Sequence, residues 1–277
     1  MSKIWIITGV SGGLGRELAH VVAHKGDVVI GTVRQENQIA AFDELVPGKT
    51  FGALADVRNR EQLADVVGFA MIRFGRIDVL VNNSGYGLVG AMEELSEAQY
   101  RDQMEVNFFG ALAAMQLVIP HMRKQQSGHI FNVSSIAGIN ASPGLSLYNA
   151  SKFALEGLSE GVALEVKPLG ISVTLVEPGP FRTKWAGGGL QHAELEIEEY
   201  ASTAHLTRER LSNVDQNQPG DPIRAGELIY EISHSPNPPM RILLGAAAYQ
   251  VVEKKLIRMQ NEIALWKEKG VATDFPE

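Results

Sequence analysis

The chain has 277 residues, enough for one large α/β domain or for two small ones. Apolar residues make up 45% of it and charged residues 21%, a balance that excludes a disordered chain. The net charge of −7 argues against a nucleic-acid-binding protein, which would need a basic surface. The absence of cysteine excludes disulfides, thiolate metal sites and cysteine nucleophiles together.

Neither a membrane span nor a metal site is predicted. The longest apolar stretch, from Gly110 to Ile119, is far shorter than the roughly 20 residues of a membrane helix. The 7 histidines show no spacing typical of metal ligands. We therefore expect a cytoplasmic protein that holds no metal ion.

Short β-branched runs alternate with helical patterns along most of the chain. The predicted strands are Ile4–Thr8, Val28–Thr32, Phe51–Ala55, Val79–Asn82, Ile130–Ser134, Ile171–Val176 and Arg241–Leu244. Most are apolar on both faces, as parallel strands inside an α/β protein are. The sequence predicts one Rossmann-type, doubly wound domain over residues 1–277. Its seven-stranded parallel sheet is flanked by helices, and ligands bind at the carboxyl ends of the strands.

Helical periodicity marks several segments between and after these strands, namely Leu63–Phe74, Glu97–Gln125, Tyr148–Val166 and a C-terminal helix over Ala246–Glu268. Residues 184–222 break the alternation. This stretch holds the run Gly187-Gly188-Gly189 and an acidic amphipathic segment from Glu194 to Tyr200. An insertion of this length after a strand is typical of a substrate lid, although a solvated excursion without a role is the alternative.

A glycine-rich turn follows the first strand directly, and a helix follows the turn. Glycines let the backbone approach a pyrophosphate, and the helix N-terminus stabilises its charge. In this position the pattern predicts a dinucleotide site, with a tight turn that binds nothing as the alternative. The predicted phosphate-binding residues are Gly9, Ser11, Gly13, Leu14 and Gly15.

The end of the second strand distinguishes the two nicotinamide cofactors. An NAD site has a carboxylate there, but this chain has Arg34 and no acidic residue before Glu36. Arg34 can pair with the 2′-phosphate of NADP, so NADP(H) is predicted in preference to NAD(H). Asp56 and Val57, after the third strand, are expected at the adenine. The segment from Asn83 to Gly85, after the fourth, is expected to line the cofactor cleft.

Tyr148 and Lys152 are four residues apart on a predicted helix, so their side chains share a face. The Lys152 ammonium is expected to lower the pKa of Tyr148 and make it an acid/base group. Ser135 ends the fifth strand, where it can hold a substrate oxygen. Asn107 lies in an otherwise apolar helical turn, and a structural asparagine bonded to backbone is the alternative interpretation.

These motifs resemble the short-chain dehydrogenase/reductase family, in its NADP-preferring branch. The matching residues follow the family order and spacing: Thr8-Gly9-x-x-x-Gly13-x-Gly15, Asn82-Asn83-Ser84-Gly85, Asn107, Ser135, Tyr148-x-x-x-Lys152 and Pro178-Gly179-x-x-x-Thr183. The resemblance implies that Tyr148 is the acid/base, that Ser135 orients the carbonyl and that Lys152 binds the nicotinamide ribose. It implies a water-mediated proton relay at Asn107. It also implies that Pro178, Phe181 and Thr183 cover the nicotinamide.

The predicted activity is NADP(H)-dependent interconversion of a ketone or aldehyde and an alcohol, similar to hydroxysteroid, retinol and carbonyl-reducing family members. The small-molecule substrate is expected to be hydrophobic, with Tyr86, Leu145 and Trp185 lining its pocket or simply packing. Family relatives also imply a homodimer or homotetramer. Two alternatives stay open: a catalytically silent NADP-binding regulatory protein, and an epimerase or dehydratase of the same family.

Overall fold

The computed structural model describes residues 2–183, 185, 188–214 and 217–275. Within them the strands are β1 (Ile4–Ile7), β2 (Val28–Val33), β3 (Thr50–Leu54), β4 (Val79–Asn82), β5 (Gly87–Val89), β6 (Gly128–Val133), β7 (Ile171–Pro178), β8 (Leu190–His192) and β9 (Arg241–Leu244). Seven of them form a parallel sheet in the order β3-β2-β1-β4-β6-β7-β9. The predicted Rossmann-type sheet is confirmed.

The helices are α1 (Gly13–His24), α2 (Asn37–Asp43), α3 (Arg60–Phe74), α4 (Glu97–Met104), α5 (Gly110–Gln125), α6 (Ser146–Val166), α7 (Leu206–Asn213), α8 (Pro222–Ser233) and α9 (Ala246–Val271). The helix predicted over Glu97–Gln125 is present with the predicted ends, and a π turn at Glu105–Phe109 joins its two α-helical parts, α4 and α5. α6 begins two residues before the prediction, and α9 ends three residues after it.

Two apolar cores lie on opposite faces of the sheet. Successive residues of a strand point to opposite faces, so Ile4 and Ile6 enter one core, while Trp5 and Ile7 enter the other. Residues of α3, α5 and α6 fill the first core. Residues of α1, α2 and α8 fill the second. Burial on both faces explains why the strands lack polar alternation.

The strand order places the chemistry at one edge of the sheet. β1 lies between β2 and β4, so chain progression reverses direction at the β1–β4 boundary. In such sheets ligands bind at the carboxyl ends beside this reversal. The segments that leave β1, β4 and β6 there contain the glycine turn, Asn83 and Ser135, and Pro178 is the last residue of β7.

In the described part of the chain, no helix combines the length and the apolar character that crossing a membrane requires. The same part of the chain also contains no group of three or more histidine and carboxylate side chains placed to hold a metal ion.

Candidate active site

The glycine turn between β1 and α1 has the backbone geometry of an anion cradle. Gly9 and Gly13 adopt φ angles of +73° and +61°, which residues with a side chain rarely adopt. Gly12 precedes α1 and carries no side chain that could occupy the first N–H groups of the helix. Ser11 and Gly12 are exposed. The turn therefore fits the pyrophosphate of a dinucleotide.

Asn83 holds this turn in place from the neighbouring strand. Its Nδ2 donates to the carbonyl oxygens of Thr8 and Gly9, at 2.8 and 2.9 Å. In return the Thr8 Oγ1 accepts from the backbone N–H groups of Asn83 and Ser84, at 2.9 and 3.0 Å. The sequence predicts Asn83 as a residue that lines the cofactor cleft, and the structure shows that its amide also joins the ends of β1 and β4.

A methyl group at Gly15 is expected to break this fastening. The added Cβ would overlap the Asn83 amide and lie 2.6 Å from the Gly9 carbonyl oxygen. We expect Gly15→Ala to lower the free energy of unfolding by about 1–3 kcal/mol, the usual cost of overpacking, and to weaken dinucleotide binding. Urea unfolding measures the first effect. The control is Gly12→Ala, whose Cβ would meet nothing within 4 Å, so equal destabilisation by both changes would contradict the explanation.

The predicted adenine side of the cleft contains an ion-pair network. Arg34 is exposed immediately after β2. Asp56 receives hydrogen bonds from the Arg58 side chain, at 2.6 and 3.0 Å, and these lower the pKa of Asp56. Arg58 also binds Asp102 of α4. Val57 is buried beside Gly110, so its side chain belongs to the core. The partner Arg58 was missed, although its place two residues after Asp56 is a local signal.

Ser135, Tyr148 and Lys152 come together beside the carboxyl end of β6. Ser135 caps a short 3₁₀ turn, where its Oγ accepts from the Ala137 N–H at 3.1 Å, and its side chain lies beside Tyr148. Lys152 is one turn further along α6, and its Nζ donates to the Val133 carbonyl oxygen at 2.8 Å. Tyr148 and Lys152 are 6% and 4% exposed, so both groups are shielded from water.

Burial controls the protonation of this pair. It raises the pKa of Tyr148 to about 12, although the neighbouring Ser135 hydroxyl acts in the opposite direction. It also lowers the pKa of Lys152 to about 8, against the attraction of Glu156. The expected lowering of the Tyr148 pKa is therefore wrong for this structure. The Lys152 Nζ lies 5.9 Å from the Tyr148 ring centroid, and desolvation outweighs its charge at that distance.

Asn107 lies in the π turn between α4 and α5. Its Oδ1 accepts from the Tyr86 N–H, and its Nδ2 donates to the Tyr86 carbonyl oxygen and to Ser151 Oγ, each at 3.0 Å. Ser151 in turn donates to the Tyr148 carbonyl oxygen. The side chains of Asn107 and Lys152 both lie close to Gly85. A Cβ atom on this glycine would be 3.2 Å from the Asn107 Oδ1 and 3.5 Å from the Lys152 Nζ. Asn107 thus has the backbone bonds of a structural asparagine and also lies near Lys152.

An apolar cluster adjoins Tyr148 and contains two of the three predicted pocket residues. Leu145 and Trp185 belong to it, and the ring centroids of Trp185 and Tyr148 are 5.4 Å apart. Tyr86 does not, because its hydroxyl donates to the Asp102 carboxylate at 2.9 Å. Phe181 packs into the sheet core and pairs with Gly220. The methyl group of Thr183 faces Gly13 of the phosphate turn.

A second, small sheet covers this cluster. β5 and β8 pair in parallel, which brings Val89 and Leu190 against Tyr148. Strands of three residues carry too little periodicity to be predicted, so both residues were missed. Lys184 and Gly187 of the predicted lid lie outside the described residues. The predicted acidic segment from Glu194 forms only a short 3₁₀ turn at Glu198–Tyr200.

The segment after β8 is fastened to the body by Glu94. The Glu94 Oε1 accepts from the Ile197 N–H at 2.8 Å and lies 2.7 Å from the His205 Nε2. Its Oε2 accepts from the Ala91 N–H at 2.7 Å. Burial opposes ionisation, but these donors together lower the pKa of Glu94. Residues 190–214 therefore form a roof over the apolar cluster that is anchored at a buried carboxylate.

A second group of buried carboxyl side chains lies beside α6. Arg241 of β9 binds both Glu156, one turn after Lys152, and Glu177, at the end of β7. Glu177 is fully buried, and Glu160 also contacts Arg241. Burial raises the pKa of both Glu156 and Glu177. A glutamate inside the apolar strand β7 is the signal that could have revealed the cluster, since a buried charge needs a partner.

Together, the doubly wound sheet, the glycine cradle and the buried Ser-Tyr-Lys group define a dinucleotide-dependent oxidoreductase of Rossmann type. The family model of the short chain dehydrogenases matches residues 3–192. The chain belongs to this family of oxidoreductases.

Named relatives agree over nearly the whole chain. Oxidoreductase BOA17 of Botryotinia fuckeliana is 34% identical over 274 residues, which cover 99% of this chain and 100% of that protein. The 3-ketodihydrosphingosine reductase of Bacteroides thetaiotaomicron is 36% identical over 244 residues, or 88% of each chain.

Solved structures show the same fold. A short-chain dehydrogenase from Streptomyces avermitilis, 37% identical, covers 99% of this chain and 98% of its own, with a TM-score of 0.92. A family member from Burkholderia phymatum, solved in complex with NAD, is 25% identical. It covers 94% of this chain and 95% of its own, with a TM-score of 0.81.

Proposed function

We propose that this protein is an NADP(H)-dependent oxidoreductase that interconverts a ketone or aldehyde and the corresponding alcohol. The observation that carries the proposal is the placement of Ser135 beside the buried Tyr148 and Lys152, at the strand ends that also present the glycine cradle. The NAD complex of the Burkholderia phymatum relative supports a nicotinamide cofactor. Gly9, Gly13 and the first turn of α1 would hold its pyrophosphate.

In the proposed mechanism the side chains manage the substrate oxygen. The nicotinamide, when bound, supplies the hydride for carbonyl reduction. Ser135 donates a hydrogen bond that orients the carbonyl, and Tyr148 delivers its hydroxyl proton to the carbonyl oxygen. The high pKa of Tyr148 keeps the phenol protonated for this step. Lys152, charged below about pH 8, stabilises the phenolate that remains.

The cofactor preference rests on Arg34. This exposed guanidinium follows β2, where an NAD-binding chain would present a carboxylate. We expect Arg34→Ala to weaken NADPH binding roughly 10- to 100-fold, the equivalent of one or two charge-assisted hydrogen bonds. Fluorescence titration measures both cofactors, and NADH binding is the internal control. An equal loss for the two cofactors would assign Arg34 a role other than selection.

The apolar cluster under the roof favours a hydrophobic substrate. Leu145, Trp185 and Leu190 surround the face of Tyr148, and a polar substrate would be poorly matched there. The name of the Bacteroides relative, a 3-keto sphingoid base reductase, is consistent with a long-chain carbonyl compound. We propose a bulky ketone or its alcohol as the substrate class.

The proposal also includes an oligomeric state and a cellular location. Phe109, in the π turn before α5, and Phe153 of α6 are 46% and 43% exposed, on faces suited to pairing two chains. We propose a homodimer or homotetramer built on these helices. We also propose that the enzyme acts in the cytoplasm.

The test is a titration with NADPH and NADH, followed by turnover assays on aliphatic, aromatic and steroidal ketones. NADPH binding with oxidation on a bulky ketone is the expected result. Binding without turnover on any of these ketones or on the corresponding alcohols would instead favour a regulatory protein. Conversion of a substrate without net cofactor consumption would favour an epimerase or dehydratase.

A further inference from the structure

α9 extends well beyond the body of the protein. It has 26 residues, and its first turns pack on the sheet through Ala248 and Val252, which are 0% and 7% exposed. From Leu256 to Val271 every residue is exposed. At 1.5 Å per residue, this free part is roughly 24 Å long. Isolated helices of about this length are marginally stable in water, and helices in proteins are stabilised mainly by packing. Among the described residues of its own chain, the free part makes no such packing contact.

An apolar stripe runs along the free part. Val252, Leu256, Met259, Ile263 and Trp266 are separated alternately by four and three residues, which is the a/d repeat of a coiled coil. The stripe begins at Val252, which packs against the rest of the protein, and continues without interruption along the exposed part of α9. The last four of these side chains are 57%, 40%, 64% and 61% exposed.

Charged side chains border the stripe on both edges. Glu253 and Lys267 occupy the heptad positions on one side, and Lys255 and Glu262 occupy those on the other. The apolar surface is therefore a narrow seam. A helix that lies on a bilayer needs a broader apolar face, whereas a seam bordered by charges suits a single partner helix.

We infer that the partner is α9 of a second copy of this chain, packed in the antiparallel direction. A parallel partner would meet the body, which already covers the start of the stripe at Val252. In the antiparallel arrangement the free parts overlap fully. Leu256 then faces Trp266 of the second copy, and Met259 faces Ile263. Glu253 lies beside Lys267 of the second copy, so opposite charges meet twice.

The size of this contact is sufficient for a specific interface. Pairing the four exposed seam residues of each copy removes on the order of 1,000 Å² of surface from water, about where specific interfaces begin. Not every charge is favourable, since Glu262 meets its own counterpart near the two-fold axis. In a parallel pair Glu262 would instead face Lys267. The effect of neutralising Glu262 therefore reports the direction of the helices.

Sedimentation analysis of the full chain tests the inference. Leu256→Glu with Ile263→Glu is expected to halve the mass of the assembly and to weaken association at least tenfold, with turnover and thermal stability unchanged. The matched control is Ile257→Glu with Leu265→Glu, since these residues are 60% and 79% exposed but lie off the seam. An unchanged mass, or an equal change in the control, would overturn the inference.

Crosslinking tests the register. The chain has no native cysteine, so introduced ones report a single contact. Met259→Cys protein mixed with Ile263→Cys protein should form a disulfide between the two variants, and neither alone should do so efficiently. Glu262→Gln should tighten association. Disulfides within each single variant and weaker association of Glu262→Gln would indicate a parallel pair and overturn the antiparallel assignment. Seam-dependent binding to phosphatidylcholine–phosphatidylserine vesicles, with no change in mass, would assign the seam to a membrane instead.

Discussion

Replacing Tyr148 by phenylalanine is expected to lower kcat by about 10²- to 10⁴-fold, the usual contribution of a positioned acid/base group. The substitution removes one hydroxyl and leaves the ring against Trp185, so the apolar cluster keeps its shape. We expect NADPH binding and the unfolding temperature to stay close to those of the unchanged protein. Steady-state turnover on a ketone identified in the panel measures the effect.

The control for this prediction is Tyr86→Phe. Tyr86 also lies near Asn107, but its hydroxyl is bonded to Asp102, away from Tyr148. This change should therefore alter kcat far less than the change at Tyr148. Full turnover by Tyr148→Phe would remove Tyr148 from the mechanism, while equal losses at the two tyrosines would indicate a general effect on the cleft.

Loss of Arg241 is expected to have the largest effect on stability. In Arg241→Met the carboxylates of Glu156 and Glu177 would lose their shared cation while they stay buried. Breaking a buried pair costs about 3–5 kcal/mol, but Arg241 is itself 39% exposed, so we expect about 2–3 kcal/mol. Urea unfolding at pH 7 measures this loss. A loss no larger than that of Glu160→Gln would contradict the prediction, because Glu160 binds the same arginine from an exposed position.

The same cluster predicts a pH dependence of stability. Burial and the neighbouring Glu156 raise the pKa of Glu177 above its ordinary value of 4.5, so the folded state binds protons more tightly than the unfolded chain. Its contribution is therefore fully present below pH 4.5 and is lost as the pH rises through the raised value. Glu177→Gln should flatten this part of the stability curve. An unchanged slope would mean that other groups produce it.

Much of the fold followed from the sequence, because each main-sheet strand is an apolar run bounded by turn residues. The location of the site residues could also be predicted from the sequence, because parallel strands end at the same edge of the sheet. Two features of the fold could not be predicted. The π turn at Glu105–Phe109 depends on how Asn107 bonds across to Tyr86. The β5–β8 pairing joins segments about a hundred residues apart.

The buried ionic groups were missed for the same physical reason. Glu94 finds its partners in a segment about a hundred residues later, and Glu177 finds Arg241 sixty-four residues later. Glu177 stands out inside an apolar strand, but the local pattern does not show which residue pairs with it, and nothing distinguishes Glu94 from an exposed glutamate. The direction of the Tyr148 pKa shift was also out of reach, because it depends on the degree of burial rather than on the spacing to Lys152.

The pairing of β5 with β8 has a consequence for the order in which ligands arrive. Residues 83–86 join β4 to β5 and include Asn83, which grips the phosphate turn. This connection leads directly into β5, and β5 is hydrogen-bonded to β8 at the start of residues 190–214. We therefore expect a displacement of the connection to move these residues as well. The glycine turn and the apolar cluster beside Tyr148, which we propose to hold the dinucleotide and the substrate, are thus linked through one short stretch of backbone. Such a linkage favours ordered addition, in which the cofactor enters first and sets the shape of the chamber that the second ligand meets.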